Sequence, residues 1–120
     1  MDMTRMLARI KRHPDYAKVG MVLYHNGVVR NTSRDGRRVT GLRVTVNQDR
    51  LQEILRDQRR RPGIIDIQIE INAEKDLHVG DDIMLLAVAG DIRENVIACL
   101  SDTLDAVKSS VTAKTECFED

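Results

Sequence analysis

Aromatic residues and cysteines are scarce in this sequence. One Phe, two Tyr and no Trp stand among 120 residues. Proteins that bind single-stranded nucleic acids stack bases on aromatic rings, so this composition argues against that class. The two cysteines, Cys99 and Cys117, give neither a disulfide framework nor a cysteine-based zinc site.

Long apolar runs are absent as well. The longest one, Ile83 to Ala89, is too short to cross a bilayer. The first residues, Met1 to Arg5, lack the apolar core of a signal peptide. The length fits one domain over residues 1–120, which we expect to be cytoplasmic, with no membrane segment, no metal site and no cofactor.

The net charge of zero conceals two halves of opposite sign. Residues 1–61 contain 15 of the 19 Lys and Arg but 6 of the 19 Asp and Glu, a net charge of +9, and residues 62–120 carry −9. One interpretation is that the first half presents a surface to an anion, such as a phosphorylated small molecule or an acidic partner. The other is that the two halves neutralise each other in the fold.

Hydrophobic periodicity predicts three helices. Apolar residues recur at helical spacing in 4–12 and 49–61, where His13-Pro14 and Pro62-Gly63 follow as stop signals. A third helix is expected to begin at Asp91, with Glu94 completing a capping box. Its predicted buried stripe consists of Ile92, Val96, Leu100, Leu104, Val107 and Val111.

Four segments have the patterns of strands. They are 20–29, with a possible bulge at Gly27, then 39–46, 65–71 and 83–89. The last is continuously apolar, which predicts a central strand covered on both faces, and 73–81 is expected to be a loop. This order predicts an α+β domain, a mixed or antiparallel sheet of about four strands with helices packed on one side of it.

The candidate chemistry lies in two arginines and two lysines. Arg30 directly follows a strand, and Arg93 stands in the first turn of the last helix, where free N–H groups and the helix dipole favour an anion. The competing interpretation of Arg93 is a surface ion pair with Glu94 or Asp91. Lys108 and Lys114 flank the predicted end of that helix, and a lysine becomes a catalytic candidate when a pocket lowers its pKa.

Other reactive residue types give weaker signals. The three histidines, His13, His25 and His78, are dispersed, which favours surface or turn positions. Cys99 lies beside the apolar stripe and is expected to be a packed residue. The run of three arginines at 59–61 ends a helix, where basic residues are favoured anyway, so it gives nucleic-acid binding little support.

With these elements placed, the chain resembles the large, catalytic subunit of molybdopterin synthase. Residues 27–31, Gly-Val-Val-Arg-Asn, are similar to the family's G-x-V-R-N signature, and residues 79–83, Val-Gly-Asp-Asp-Ile, to its P-G-D-[DE]-I turn. The segments at 91–93 and 114–116 fall where the family has a His-Arg pair and W-K-x-E. The order and separation of these segments carry the resemblance.

The resemblance implies an α/β hammerhead fold and sulfurtransferase activity in molybdenum cofactor biosynthesis. Lys114 would be the catalytic lysine, and Arg30, Arg93 and Lys108 would bind anionic groups of the substrate or of the partner. That partner would be a small ubiquitin-like sulfur carrier ending in Gly-Gly. Two sulfur transfers, each from the thiocarboxylate of one carrier to a cyclic pyranopterin phosphate, would make the dithiolene of molybdopterin.

The chain also departs from the family's pattern around these residues. Ile92 replaces the histidine that the family has before the arginine. The stretch directly before Lys114, which is rich in aromatic residues in the family, is here Ser-Val-Thr-Ala at 110–113. Lys108 lies six residues before Lys114, whereas the family's two lysines are seven apart. These departures leave open whether the chain is an enzyme. The alternative is a non-catalytic relative that keeps the fold and the dimer and binds an acidic partner or an anionic ligand.

We also expect a homodimer. The last helix and the apolar strand 83–89 offer more apolar surface than a thin layer of sheet and helices in a chain of this length buries. The resemblance implies the same oligomeric state.

Overall fold

Two three-stranded antiparallel sheets form the framework of the chain in a computed structural model that describes residues 1–120. The helices are α1 (Met3–Lys11), α2 (Gln48–Arg59) and α3 (Arg93–Ser110), with a short 3-10 helix at Tyr16–Lys18. The strands are β1 (Met21–Val28), β2 (Val39–Val46), β3 (Ile64–Ile71), β4 (Asp76–His78), β5 (Asp82–Gly90) and β6 (Thr112–Phe118). The strand orders are β1-β5-β3 and β4-β2-β6. The predicted α+β class is confirmed, with six strands in two sheets in place of about four in one.

The apolar strand β5 lies at the centre of the first sheet, as its sequence predicts. Its side chains alternate between two cores, because successive residues of a strand point to opposite faces. One set faces α2 and α3: Met84, Leu86 and Val88. The other packs against α1: Leu85, Ala87 and Ala89. The helices therefore cover both faces of the sheet, so the expectation that they lie on one side was wrong.

Side-chain caps begin the first two helices. The Asp2 carboxylate accepts the N–H of Thr4 at 2.8 Å, and the Asn47 side chain accepts the N–H of Arg50 at 3.0 Å. Each bond satisfies one of the N–H groups that the first turn of a helix leaves without a partner. α2 buries Leu51, as the helical spacing predicts.

A bulge shifts the expected pattern of β3. The register against β5 changes between Ile64 and Asp66, so Ile65 is half-buried and the Asp66 carboxylate is turned inward. That carboxylate accepts the N–H of Ile67 at 2.8 Å and the amide of Gln68 at 3.0 Å. Burying a carboxylate is costly unless hydrogen bonds compensate it, and these bonds do so.

The second sheet contains two strands that the sequence pattern did not predict. The segment 73–81, expected to be a loop, includes β4, which pairs with β2 through Leu77 and Leu42. The residues after α3 form β6, which runs antiparallel to β2 from Thr112 to Phe118. Lys114 therefore lies in a strand and not at a helix end.

The buried face of α3 is rotated relative to the predicted stripe. The fully buried residues of the helix are Val96, Cys99, Thr103 and Val107. Ile92, which was predicted to be buried, is 53% exposed, whereas Leu100 and Leu104 are half-buried. No helix of the structure is both long and apolar enough to cross a membrane.

Candidate functional site

Arg30 lies just beyond the end of β1, where the strand leaves the first sheet. The register against β5 shifts between Gly27 and Val28, which places a bulge where the sequence suggested one. Val29 is buried, so the chain is anchored immediately before Arg30. The Arg30 Nε–H donates to the Thr32 carbonyl at 2.7 Å, and no carboxylate lies within ion-pair distance of the guanidinium. The guanidinium is thus held at one edge, and its remaining N–H groups are free for a ligand.

Arg93 is the first residue of α3, but the capping box predicted there is wrong. The N-cap position is Ile92, which makes no side-chain cap. The Asp91 carboxylate instead accepts the N–H of Ile92 at 2.7 Å and the side-chain amide of Asn95 at 2.9 Å. These two hydrogen bonds lower the pKa of Asp91, and the bond from Asn95 has the larger effect. Ile92 is the only residue whose backbone N–H donates to Asp91. No side chain therefore caps the backbone N–H groups in the first turn of α3.

The ion pair considered for Arg93 is present in a weak form. Its guanidinium lies 3.7 Å from the carboxylate of Glu94, and both side chains are about seven-tenths exposed. Exposed pairs of this kind contribute between 0 and about 1 kcal/mol to stability. The contact leaves Arg93 available to another anion.

Arg30 and Arg93 do not meet within one chain. β1 pairs with β5 from Met21 opposite Gly90 to Val28 opposite Asp82, so Arg30 follows one end of this ladder and Arg93 follows the other. A strand of this length spans roughly 25 Å at about 3.3 Å per residue. The idea of an anion site that both arginines form in a single chain was therefore wrong.

Lys108 lies on the last turns of α3, close to His25 of β1. His25 stands opposite Leu86 in the ladder and so points to the face of the sheet that α3 covers. Burial, and then the positive charge of Lys108, lower the pKa of His25. His25 thus belongs to the candidate site, although sequence reasoning had assigned it to a surface or turn. Residues two apart in a strand point to the same face, so the apolar Leu23 could have indicated that His25 faces the helices.

Lys114 faces the second core from the edge of its sheet. It stands opposite Val44, and directly opposed residues of an antiparallel pair share a face. Val44 is buried, whereas Lys114 is exposed because β6 is an edge strand. The same core includes Val29, the residue before Arg30. The geometry therefore directs Lys114 towards the side of the molecule where β1 ends.

The opposite charges of the two halves are partly neutralised in the fold. Five ion pairs join an arginine of residues 1–61 to a carboxylate of residues 62–120: Arg9–Glu70, Arg38–Glu119, Arg43–Asp76, Arg59–Asp66 and Arg61–Asp102. Arg37 stacks on the Phe118 ring at 3.6 Å and does not face a carboxylate of the second half. The neutralisation interpretation therefore holds in part, and the anion-binding interpretation stays a prediction that Arg30, without an acidic partner, keeps open.

One thiol and one cavity lie away from this site. Burial raises the pKa of the Cys99 thiol, which is fully enclosed, so its prediction as a packed residue is confirmed. A cavity of about 340 Å³ lies between α2 and β3 and is lined by residues such as Leu55 and Ile69. It lies along β3, at the edge of the first sheet opposite β1.

Comparison with solved structures finds the same fold. Molybdopterin synthase from Staphylococcus aureus matches with a TM-score of 0.73 at 23% identity, covering 86% of this chain and 77% of that one. Molybdopterin cofactor biosynthesis protein E from Burkholderia multivorans matches with a TM-score of 0.78 at 25% identity, covering 99% and 82%. The complex of subunits 1 and 2 of the molybdopterin-converting factor from Helicobacter pylori matches with a TM-score of 0.75 at 15% identity, covering 99% and 80%.

Comparison with families gives a consistent result. No curated protein matches the chain. The family model described as MoaE protein matches residues 1–110, which include β1, Arg30 and all of α3. The resemblance to molybdopterin synthase large subunits is thereby confirmed. The chain belongs to the MoaE family, and its role lies in molybdenum cofactor biosynthesis.

Proposed function

We propose that this protein is the large subunit of a cytoplasmic molybdopterin synthase and that it is catalytically active. It takes sulfur from the C-terminal thiocarboxylate of a small ubiquitin-like carrier. Two such transfers onto a cyclic pyranopterin phosphate form the dithiolene of molybdopterin. The single observation that carries this proposal is the family match over residues 1–110, with Arg30 free of any acidic partner at the end of β1. The Helicobacter pylori complex of two subunits supports the small partner.

The free edge of β1 supports a homodimer. β1 pairs only with β5, and its other edge has no strand beside it. No β1 side chain is fully buried, and Met21 and Leu23 are half-buried on the face that α3 covers. A second copy pairing along this edge covers these side chains and the unpaired backbone groups together.

The flank of α3 extends the same apolar surface. At 100° per residue, the side of the helix turned away from α2 carries Ile97, Leu100 and Leu104. Ile97 is 47% exposed, and the two leucines are half-buried. Apolar side chains on this helix flank and on the neighbouring strand edge form a continuous surface, which is typical of an interface between copies.

A two-fold axis at the middle of β1 brings the two arginines together. Antiparallel pairing of β1 with its copy places the end of one strand beside the beginning of the other. Arg30 follows the end of β1, and Arg93 lies beyond the strand's beginning, next to Gly90. Arg93 of the partner subunit then lies near Arg30, and the dimer contains two such sites. The anion site that one chain does not form is thus completed between two chains.

Each cation has a role in this site. Arg30, Lys108 and Arg93 of the partner subunit bind the phosphate of the pterin and the carboxylate end of the carrier, as fixed cations hold oxyanions in place before reaction. Lys114 is the active-site lysine. Lys114 either attacks the acyl carbon or stabilises the negative charge that develops on the acyl oxygen. In the first case a C–N bond forms as the C–S bond breaks, the sulfur passes to the pterin, and water later releases the carrier as an ordinary carboxylate.

A sulfur-transfer assay tests this proposal. The protein is mixed with a thiocarboxylated carrier and cyclic pyranopterin phosphate, and the dithiolene product is measured. We expect product only with the thiocarboxylated carrier, and none with the same carrier ending in an ordinary carboxylate. Absence of product at stoichiometric protein, while the carrier still binds, would contradict catalysis and favour a non-catalytic relative.

A further inference from the structure

The His25 side chain lies over the bulge of β1 and makes no hydrogen bond to the protein. Neither imidazole nitrogen has a hydrogen-bond partner in the protein, and no carboxylate lies within ion-pair distance. A Cβ added at Gly27 would lie 3.5 Å from Nε2 of His25. The imidazole therefore lies over Gly27, which has no side chain. His25 therefore presents free ring nitrogens beside the bulge that leads to Arg30.

The surroundings of His25 are apolar except for one cation. His25 stands opposite Leu86 of β5. The side chains of Met84 and Ile83 lie next to Gly27, the residue under the imidazole. On α3 the charged group that acts on it is Lys108. Burial and this positive charge both disfavour the protonated ring and lower its pKa, so His25 is neutral near pH 7 while the site is empty.

We propose that His25 is a positioning residue that takes up one proton when an oxyanion binds beside Lys108. This inference rests on the proposed function, because that function places the oxyanion of the substrate there. The proton comes from solvent and moves to the free ring nitrogen, which then donates a hydrogen bond to the bound oxygen. The anion offsets the repulsion between imidazolium and ammonium, which is what makes protonation unfavourable in the empty site.

Proton uptake makes anion binding dependent on pH with a defined sign. The anion raises the pKa of His25, so the dissociation constant increases as pH rises from the free-state value to the bound-state value. Below both values the ring is charged in both states, and above both it is neutral in both, so affinity is constant there. A rise of one pKa unit on binding corresponds to about a tenfold weaker affinity above this window than below it.

Sulfate is a suitable probe because it remains a dianion throughout the window. The pKa of each histidine is measured by NMR from the ring Cε1 signals of the full chain, with sulfate or with chloride at equal ionic strength. We expect sulfate to raise the pKa of His25 by about one unit. His13 and His78 in the same spectra are the internal controls and should shift equally in both salts.

Three variants connect the shift to the site. In His25→Gln, which keeps polar groups but does not protonate in this range, the sulfate dissociation constant should become independent of pH between 5 and 7.5. Lys108→Gln should raise the pKa of His25 without sulfate and reduce the sulfate-induced change. Arg30→Gln should weaken sulfate binding and leave the pKa of His25 without sulfate as it is.

The outcomes separate this inference from the proposed function. If the wild type transfers sulfur but sulfate shifts His25 no more than His78, the inference is wrong and the proposed function stands. If the wild type transfers no sulfur but sulfate shifts His25 alone, the inference stands and the proposed function is wrong. Sulfate binding to His25→Gln with the pH dependence of the wild type also overturns the inference.

Discussion

Mixing two impaired variants should restore activity if the site forms between two chains. Arg30→Ala removes one cation from both sites of a homodimer, and Arg93→Ala removes the other. A charged hydrogen bond contributes about 1.5 to 3 kcal/mol, so each variant alone should lose roughly tenfold to 150-fold in kcat/KM. In a mixed dimer one site loses both arginines, and the other keeps both.

The recovery expected from this geometry is about one quarter of the wild-type activity. Random assortment of equal amounts makes about half of the dimers mixed, and one of the two sites in each is intact. The variants are unfolded and refolded together, native mass spectrometry verifies the mixed dimers, and sulfur transfer is measured at constant total protein. The residual activity of either homodimer is roughly one tenth of wild type or less, which is at least about 2.5-fold below this recovery, so the two outcomes are distinct.

The matched control is a mixture of Arg30→Ala with Lys114→Ala. In the proposed dimer one chain contributes both Arg30 and Lys114 to each site. Every site in this mixture therefore lacks one of the two residues. We expect no recovery in this mixture. Mixed dimers of Arg30→Ala and Arg93→Ala without recovery would refute the shared site, and so would equal recovery in the control.

Four other changes test the catalytic lysine, the interface, the fold and the free thiol. Lys114→Ala should reduce turnover by orders of magnitude with little change in the melting temperature, and Lys114→Arg should not restore it, whereas Lys108→Ala should cost much less. Ile97→Lys should place a charge in the apolar interface and give a monomer in sedimentation at micromolar concentration. Gly63→Ala should lower the free energy of unfolding by about 2 kcal/mol or more in urea titrations, because φ is +79° there and the added methyl overlaps the side chains of Asp91 and Asn95. A thiol reagent should modify Cys117 alone in the native protein, and equal labelling of both cysteines would contradict the packing.

The elements with strong periodicity were predictable from the sequence. β2 has the bounds that the alternation of Val39–Val46 indicates, and the apolar run 83–89 lies within the central strand. These patterns succeed because the pleat of a strand and the turn of a helix fix which residues share a face. The prediction was poorer at the ends of α3, where Ile92 is apolar but precedes the helix and stays exposed.

The elements that failed depend on contacts between distant parts of the chain. β4 is three residues long and exists because Leu77 pairs with Leu42 and enters the second core. β6 has mostly exposed side chains, so its pattern carries no signal apart from its pairing with β2. Strand pairing of this kind is determined by the tertiary structure and not by local periodicity. The position of Lys114 was missed for the same reason.

The sequence was enough to name candidate site residues but not to arrange them. The family resemblance pointed to Arg30 and Arg93, yet spacing along the chain does not show that β1 and β5 separate them by a whole strand. His25 was set aside because it has no reactive neighbour in the sequence. Lys108 becomes its neighbour only when α3 packs across the sheet.

The two outer edges of the first sheet differ in a way that favours β1 over β3 for the proposed dimer interface. On the β3 edge, the backbone N–H of Asn72 donates to the Ile83 carbonyl. Backbone groups of successive residues point alternately to the two sides of a strand, so those of Ile67 point away from β5. Arg59 of α2 then donates from Nη2 to the Ile67 carbonyl at 2.7 Å and lies 3.9 Å from the Asp66 carboxylate. A charged side chain bound across an edge in this manner hinders the addition of another strand.

No comparable group covers β1. Its sequence from Met21 to Val28 contains no Lys, Arg, Asp or Glu, and the adjoining flank of α3 between Arg93 and Lys108 presents Ile97 and two leucines. An uncharged strand edge beside apolar side chains leaves association with a second copy unopposed, whereas the β3 edge is blocked by Arg59. In the proposed dimer the cations at the two ends of this apolar surface would meet across the two-fold axis, because antiparallel pairing joins opposite ends. The same distribution of charge that protects the β3 edge would then direct a second copy to the β1 edge, where its Arg93 would complete the proposed site.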